Sequence, residues 1–180
     1  GMTGPLVQGS PVARAVHSIM LANKYTVIGP EPGLDPLAAA CETIGVLLSH
    51  RPSLEVAFLA DSPRRRDELA ADVSRLLSGA GHGHIGVLIG SDGLHPNPRP
   101  TVKVRCAADI RNRLGAALAV LDADRPTYLT SFDPVGTIRQ VLVAGDDMLL
   151  TDWRDWVDGQ DPAYWDPVPI EVLLAGDPAV

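Results

Sequence analysis

The chain has 180 residues, 46% of them hydrophobic and 21% charged, with a formal net charge of −7. A single domain of this length buries roughly 70% of its unfolded surface, so it holds a core without disulfide or metal, and this composition excludes wholesale disorder. The acidic total, with lysine limited to Lys24 and Lys103, argues against nucleic-acid binding, which draws its affinity largely from lysine and arginine.

Gly1 reads as an expression remnant, leaving one globular domain over residues 2–180. No stretch approaches the ~18 apolar residues of a membrane-crossing helix, and no secretory signal opens the chain. Cys41 and Cys106 are too few and too far apart for a disulfide framework. The expectation is a cytoplasmic protein without membrane contact. The abundance of Ala, Val, Gly, Pro, Asp and Arg points to a bacterial genome of high GC content.

In chain order, residues 17–28 read as extended, with a turn near Asn23-Lys24. The Gly29–Gly33 turn is not a GxGxxG loop, and its prolines remove amide donors that a phosphate cradle would use. Asp35-Pro36 then caps a helix whose apolar residues Leu37, Cys41, Ile44, Leu47 and Leu48 recur at helical spacing until Pro52. Residues 54–60 form a strand. Ser62-Pro63 starts a second helix along Leu69, Val73, Leu76 and Leu77, which Gly79 and Gly81 end. With the strand at 85–89 this makes a right-handed βαβ unit.

Residues 91–100 read as a proline-rich loop, and 101–105 as a strand with one wet face, Val102 and Val104 alternating with Lys103 and Arg105. A third helix is expected from Ala107 to Leu121, with Ile110, Leu114, Leu118 and Leu121 on one face. The close-spaced runs at 127–132, 138–144 and 148–153, with a hairpin turn at Gly145-Asp146-Asp147, suggest antiparallel strands. Residues 170–174 are a final strand or a packed tail. The expected fold is α/β or α+β: a mixed sheet with about three amphipathic helices, a βαβ first half and an antiparallel, hairpin-rich C-terminal part.

Ligands of open α/β sheets bind where strands hand over to helices. Asp61, Ser62 and Arg64 follow a strand directly, and Ser91 and Asp92 follow the next one. Arg64, Arg65 and Arg66 together with first-turn amides suit a phosphate or carboxylate. The plainer reading is a capped helix with solvated arginines. Cys106 stands where a strand is expected to meet the third helix, beside Arg105, a setting that favours a nucleophilic thiolate; a small buried hydrophobe is the commoner fate of free cysteine. His82 and His84, with Asp92 and His95, are the one cluster of metal-competent side chains. The intervening strand is expected to carry the two pairs to opposite ends of the sheet, so no metal and no cofactor is expected. No Gly-x-Ser-x-Gly elbow, Walker loop or metalloprotease helix is present.

Trp153, Trp156, Tyr164 and Trp165 crowd one segment of a chain that is only 4% aromatic, interleaved with Asp152, Asp155, Asp158, Asp161 and Asp166. Tryptophan and tyrosine anchor interfaces, and an acidic surround steers a basic partner. The alternative is a second small core with turn-capping aspartates. The leading expectation is therefore a non-catalytic binding or regulatory protein that uses this segment to contact another protein or a second copy of itself. The alternative is a small-molecule binding domain, or an enzyme, acting on an anionic metabolite at the strand ends.

Overall fold

Three helices begin in the same way. Ser10, Asp35 and Ser62 each stand in extended backbone directly before a proline. Each side chain accepts a first-turn N–H, from Ala13 at 3.1 Å, Leu37 at 3.0 Å and Arg65 at 3.1 Å respectively. Proline costs nothing at the first helical position, because that N–H has no partner inside the helix. These caps open α1 (Pro11–Met20), α2 (Pro36–His50) and α3 (Pro63–Gly79). The computed structural model describes residues 10–22, 25–29, 33, 35–90, 100–110, 116–121, 138–144 and 170–174.

The strands are β1 (Tyr25–Gly29), β2 (Val56–Ala60), β3 (Gly86–Ile89), β4 (Thr101–Cys106), β5 (Leu118–Leu121), β6 (Gln140–Ala144) and β7 (Ile170–Leu174). They form one sheet in the order β3-β4-β2-β5-β6-β1-β7. Every pairing is parallel. The fold is thus α/β, but the expected antiparallel, hairpin-rich C-terminal part is wrong: β6 lies parallel to both β5 and β1, and β7 runs parallel to β1. The misleading signal was proximity in sequence. Runs such as LAVL and QVLVA are continuous apolar strands covered on both faces, which is the pattern of a parallel sheet rather than of hairpins. The proposed turn at 145–147 and the runs at 127–132 and 148–153 lie outside the described residues.

Three further expectations change. Residues 17–28 are not continuously extended: α1 runs through Met20, and β1 starts only at Tyr25. Val12, Ala15, Val16 and Ile19, all buried, follow helical spacing behind the Ser10-Pro11 cap. The described parts of residues 107–121 do not form the expected helix either. A three-residue 3-10 turn, Ala107–Asp109, follows β4, and Leu118–Leu121 is a strand between β2 and β6. Apolar spacing alone cannot separate a helix from a strand that is buried on both sides. Finally, β4 has no wet face at Arg105, which is 1% exposed.

The helices pack in one layer on the sheet, with α2 between α1 and α3; α1 lies over β1 and β7, α2 over β6 and β1, and α3 over β2, β3 and β4. Val56, Phe58, Val104, Val120 and Leu142 meet Ile44, Leu48, Leu69 and Val73 in the core. Residues of opposite parity, Ala57, Leu59, Ala119, Leu121, Val141 and Val143, are buried too. The central strands therefore have no polar side, and α2, buried around most of its circumference from Ala39 to Leu48, behaves likewise. Polar ties set positions within this apolar mass. Ser18 and Thr26 share a buried hydroxyl hydrogen bond of 2.8 Å between α1 and β1. The Gln140 amide donates to the Ile19 carbonyl at 2.8 Å, satisfying an oxygen near the end of α1.

One close approach depends on glycine. At Gly45 the backbone of α2 lies so near the His82 ring that a Cβ would overlap it. At Gly79, in the last turn of α3, a Cβ would meet nothing within 4 Å. Gly→Ala inside a helix ordinarily stabilises by about 0.4–1 kcal/mol. Gly79→Ala is expected to follow that rule, whereas Gly45→Ala is expected to destabilise by about 1–3 kcal/mol through overpacking. Urea denaturation of the two variants beside the parent protein reads both signs.

Candidate functional site

An all-parallel sheet gathers its strand carboxyl ends along one edge. Here the chain steps from β1 outward to β2 and β3, then returns through β4, β5 and β6 to β7. The neighbours β2 and β4 consequently pass the chain in opposite directions along the sheet, and α3, leaving β2, crosses over β4 toward β3. The two strands end level, with Ala60 beside Cys106. From β2 the chain enters Asp61, Ser62 and the amino end of α3; from β4 it enters the 3-10 turn.

Asp109 organises this corner. Its Oδ2 accepts the Cys106 N–H at 2.8 Å and faces the Cys106 thiol at 3.4 Å. Its Oδ1 accepts from Arg66 Nη1 at 2.7 Å, so the last turn of β4 is bound to α3. The main-chain oxygen of Asp109 accepts from Arg105 Nη2 at 2.7 Å. The Arg66 and Asp109 side chains are 19% and 12% exposed, sheltered enough that the pair depends on these additional hydrogen bonds to offset lost hydration. Arg66 Nε also donates to Asp67 at 3.0 Å. That bond, with the charge of Asp109 behind it, raises the Arg66 pKa against the opposing effect of burial. The guanidinium carries five N–H donors in a fixed plane, and among the described residues its Nη2 has no hydrogen-bond partner.

Gly90 completes the corner from β3. It takes φ +68 and donates its N–H to the Val104 carbonyl at 2.9 Å. A Cβ there would stand 3.3 Å from both Arg66 Nη1 and Asp109 Oδ1. Glycine thus meets two demands at once, a left-handed backbone and close passage over the ion pair.

The strand-end residues singled out from sequence are only partly brought together. Ser62 is half-buried and caps α3, while Asp61 is exposed. The Arg64 side chain is 91% exposed and pairs with Glu68 at 3.3 Å. Arg65 lies 3.7 Å from both Glu68 and Asp72. Of the three arginines, Arg66 alone reaches the β4 corner. Ser91 and Asp92 lie outside the described residues, as do Trp153, Trp156, Tyr164 and Trp165. His82 and His84 follow the far end of α3, their ring centroids 6.4 Å apart, one ring buried and the other exposed. Among the described residues no group of three or more His, Cys, Asp or Glu is placed to hold a metal ion.

Cys106 sits differently from the expected nucleophile. A three-residue turn replaces the helix whose amino end was to activate it, and the thiol, on a residue only 1% exposed, faces a carboxylate. Arg66 Nη1 is 3.9 Å from the sulfur. Sequence reasoning missed Asp109, which falls within the helix expected from Ala107 to Leu121. The available signal was a carboxylate three residues beyond the strand's last residue, the spacing at which a side chain folds back onto main-chain N–H.

No protein-family model matches this sequence, and no curated protein matches it.

Neither cysteine is in a disulfide, and both are buried. In the native protein at neutral pH, an aromatic disulfide reagent is expected to react with each at least about a hundredfold more slowly than in urea, because reaction must await opening. Stopped-flow absorbance on the parent and on Cys41→Ala checks this. A fast thiol surviving in Cys41→Ala would return Cys106 to candidacy as a nucleophile.

Proposed function

We propose that this domain binds a small anionic metabolite at the carboxyl ends of β2, β4 and β3, with Arg66 as the group that pairs with the anion. The observation that carries the reading is the sheltered Arg66 guanidinium, anchored through Nε and Nη1 by Asp67 and Asp109 with Nη2 uncommitted among the described residues. A guanidinium held in this way recognises a carboxylate or phosphate by direction as well as by charge. The amino end of α3 lies at the same edge and adds the favourable end of a helix dipole. Bulk charge does not drive the recognition, since Asp67 and Asp109 flank the arginine. The reading is of a binding domain and assigns no reaction.

The test is a thermal-shift screen with inorganic phosphate and small mono- and dicarboxylates, on the parent, Arg66→Gln and Arg64→Gln. A ligand at a hundred times its Kd stabilises by about 2.7 kcal/mol, which for a domain of this size raises Tm by about 5–10 °C. Arg66→Gln is expected to abolish the shift, and Arg64→Gln, altering an exposed residue, to retain it. A shift that persists in Arg66→Gln would defeat the proposal.

A second reading rests on the sequence of the C-terminal segment: we propose that Trp153, Trp156, Tyr164 and Trp165, set among aspartates, contact another protein or a second copy of this chain. Replacing Trp153, Trp156 and Trp165 by alanine is expected to remove that association in sedimentation velocity or pull-down, and retention of every partner would reject it. A cytoplasmic address belongs to the same proposal and draws on two cysteines that form no disulfide. Among the described residues, no helix is long and apolar enough to cross a membrane.

A further inference from the structure

Helix α3 ends in a tight reversal that places an imidazole where an apolar side chain is usual. Gly81 takes φ +83 and donates to the Ser78 carbonyl at 3.1 Å, and the His82 N–H donates to Leu77 at 2.7 Å. This is the Schellman pattern, in which the residue at the position of His82 turns back onto the helix, most often as a hydrophobe. His82 does so and is 1% exposed. Its ring fills the notch left by Gly45 on α2, and its own carbonyl accepts the Ile85 N–H at 3.0 Å, closing the turn into β3. Nδ1 is buried with no hydrogen-bond partner among the described residues.

A neutral imidazole with one unpaired nitrogen is tolerable in that notch. A protonated ring brings a charge and a further buried N–H that needs an acceptor, and neither is met there. The charged surroundings do not rescue it. Glu42, one turn before Gly45 on α2, favours the cation, whereas His84 opposes it. The carboxyl end of α3 also favours a cation, and β3 has no ionisable side chain. Burial is the largest influence and moves the His82 pKa below the ordinary 6.5.

We propose that His82 is a proton-operated latch: neutral, it pins the turn between α3 and β3 against α2; protonated, it releases that turn while the central sheet stays folded. Release is local because β3 has four residues and, among the described residues, lies at the sheet edge and pairs with β4 alone. The pairings of β2, β5, β6 and β1 do not pass through this turn. The sign follows from linkage. The opened turn binds a proton at the ordinary pKa and the closed turn at a lower one, so closure is fully stable above about pH 6.5 and weakens as pH falls through the folded value.

Amide hydrogen exchange, corrected for intrinsic rate, tests the latch on the whole protein at pH 7.5 and pH 5. Protection of residues 77–86 and of the middle of α2 is expected to fall by between a few-fold and about thirtyfold at pH 5, with protection of β2 and β5 unchanged. His82→Leu is expected to remove the pH dependence, and His84→Gln to keep it. Unchanged protection in the parent, or an undiminished response in His82→Leu, would overturn the proposal. Should His82→Leu fail to fold, the NMR titration of the His82 ring in the parent decides: a midpoint below the ordinary value supports the latch, and one at or above 6.5 overturns it.

Discussion

Parallel pairing is the constraint on which the rest of this structure depends. Two parallel neighbours cannot be joined by a tight turn, so the chain must cross a face of the sheet to return to the edge where strands begin. Two of the elements that cross, α2 and α3, are helices, and with α1 they pack in one layer that buries the strand side chains beneath them. The burial of alternate residues such as Leu59, Leu121 and Val143 shows that the opposite face is closed as well. Strands covered on both sides need no polar alternation, and the sequences of β2, β5 and β6 have almost none.

The same constraint places the candidate site. With all seven strands pointing one way, their carboxyl ends share an edge, and the reversal between β2 and β4 sets the start of α3 beside the end of β4. Asp109 turns that adjacency into a defined arrangement by holding the end of its own strand with one oxygen and Arg66 with the other. Gly90 lets the exit of β3 pass over the pair without a side chain in the way. The corner has a structural role whatever binds there: one carboxylate ties the exit of β4 to the helix that follows β2. An arginine fixed by such a corner loses little conformational freedom when it pairs with a ligand.

The opposite end of α3 shows how differently two polar groups fare at a helix terminus. Arg66 is charged, partnered and partly open to water, whereas His82 is sealed beneath α2 with a nitrogen unsatisfied among the described residues. The first can serve recognition without disturbing the fold. The second carries its polarity at a cost in stability that grows with acidity, and the absence of a Cβ at Gly45 is what makes room for it.

Local chemistry made part of this legible from sequence. The Asp35-Pro36 and Ser62-Pro63 caps and the apolar spacing behind them mark α2 and α3, because a cap and a helical stripe are satisfied within one short segment. Ser10-Pro11 carries the same mark for α1, whose last residues fall within the 17–28 stretch that reads as extended. Strand direction was not legible, since the sequences of β6 and β7 do not state which strand will lie beside them. Nor could spacing distinguish LAVL in a helix from LAVL in a central strand, because burial on both sides removes the polar face that would reveal the period. The Arg66–Asp109 pair spans 43 positions and exists only because β2 and β4 end level. The sequence by itself therefore determined where helices start and which runs seek burial, for these are properties of a few adjacent residues. Only the tertiary structure decided that the strands run parallel, which arginine reaches the strand-end corner and which histidine is buried, because each depends on neighbours that folding brings from far along the chain.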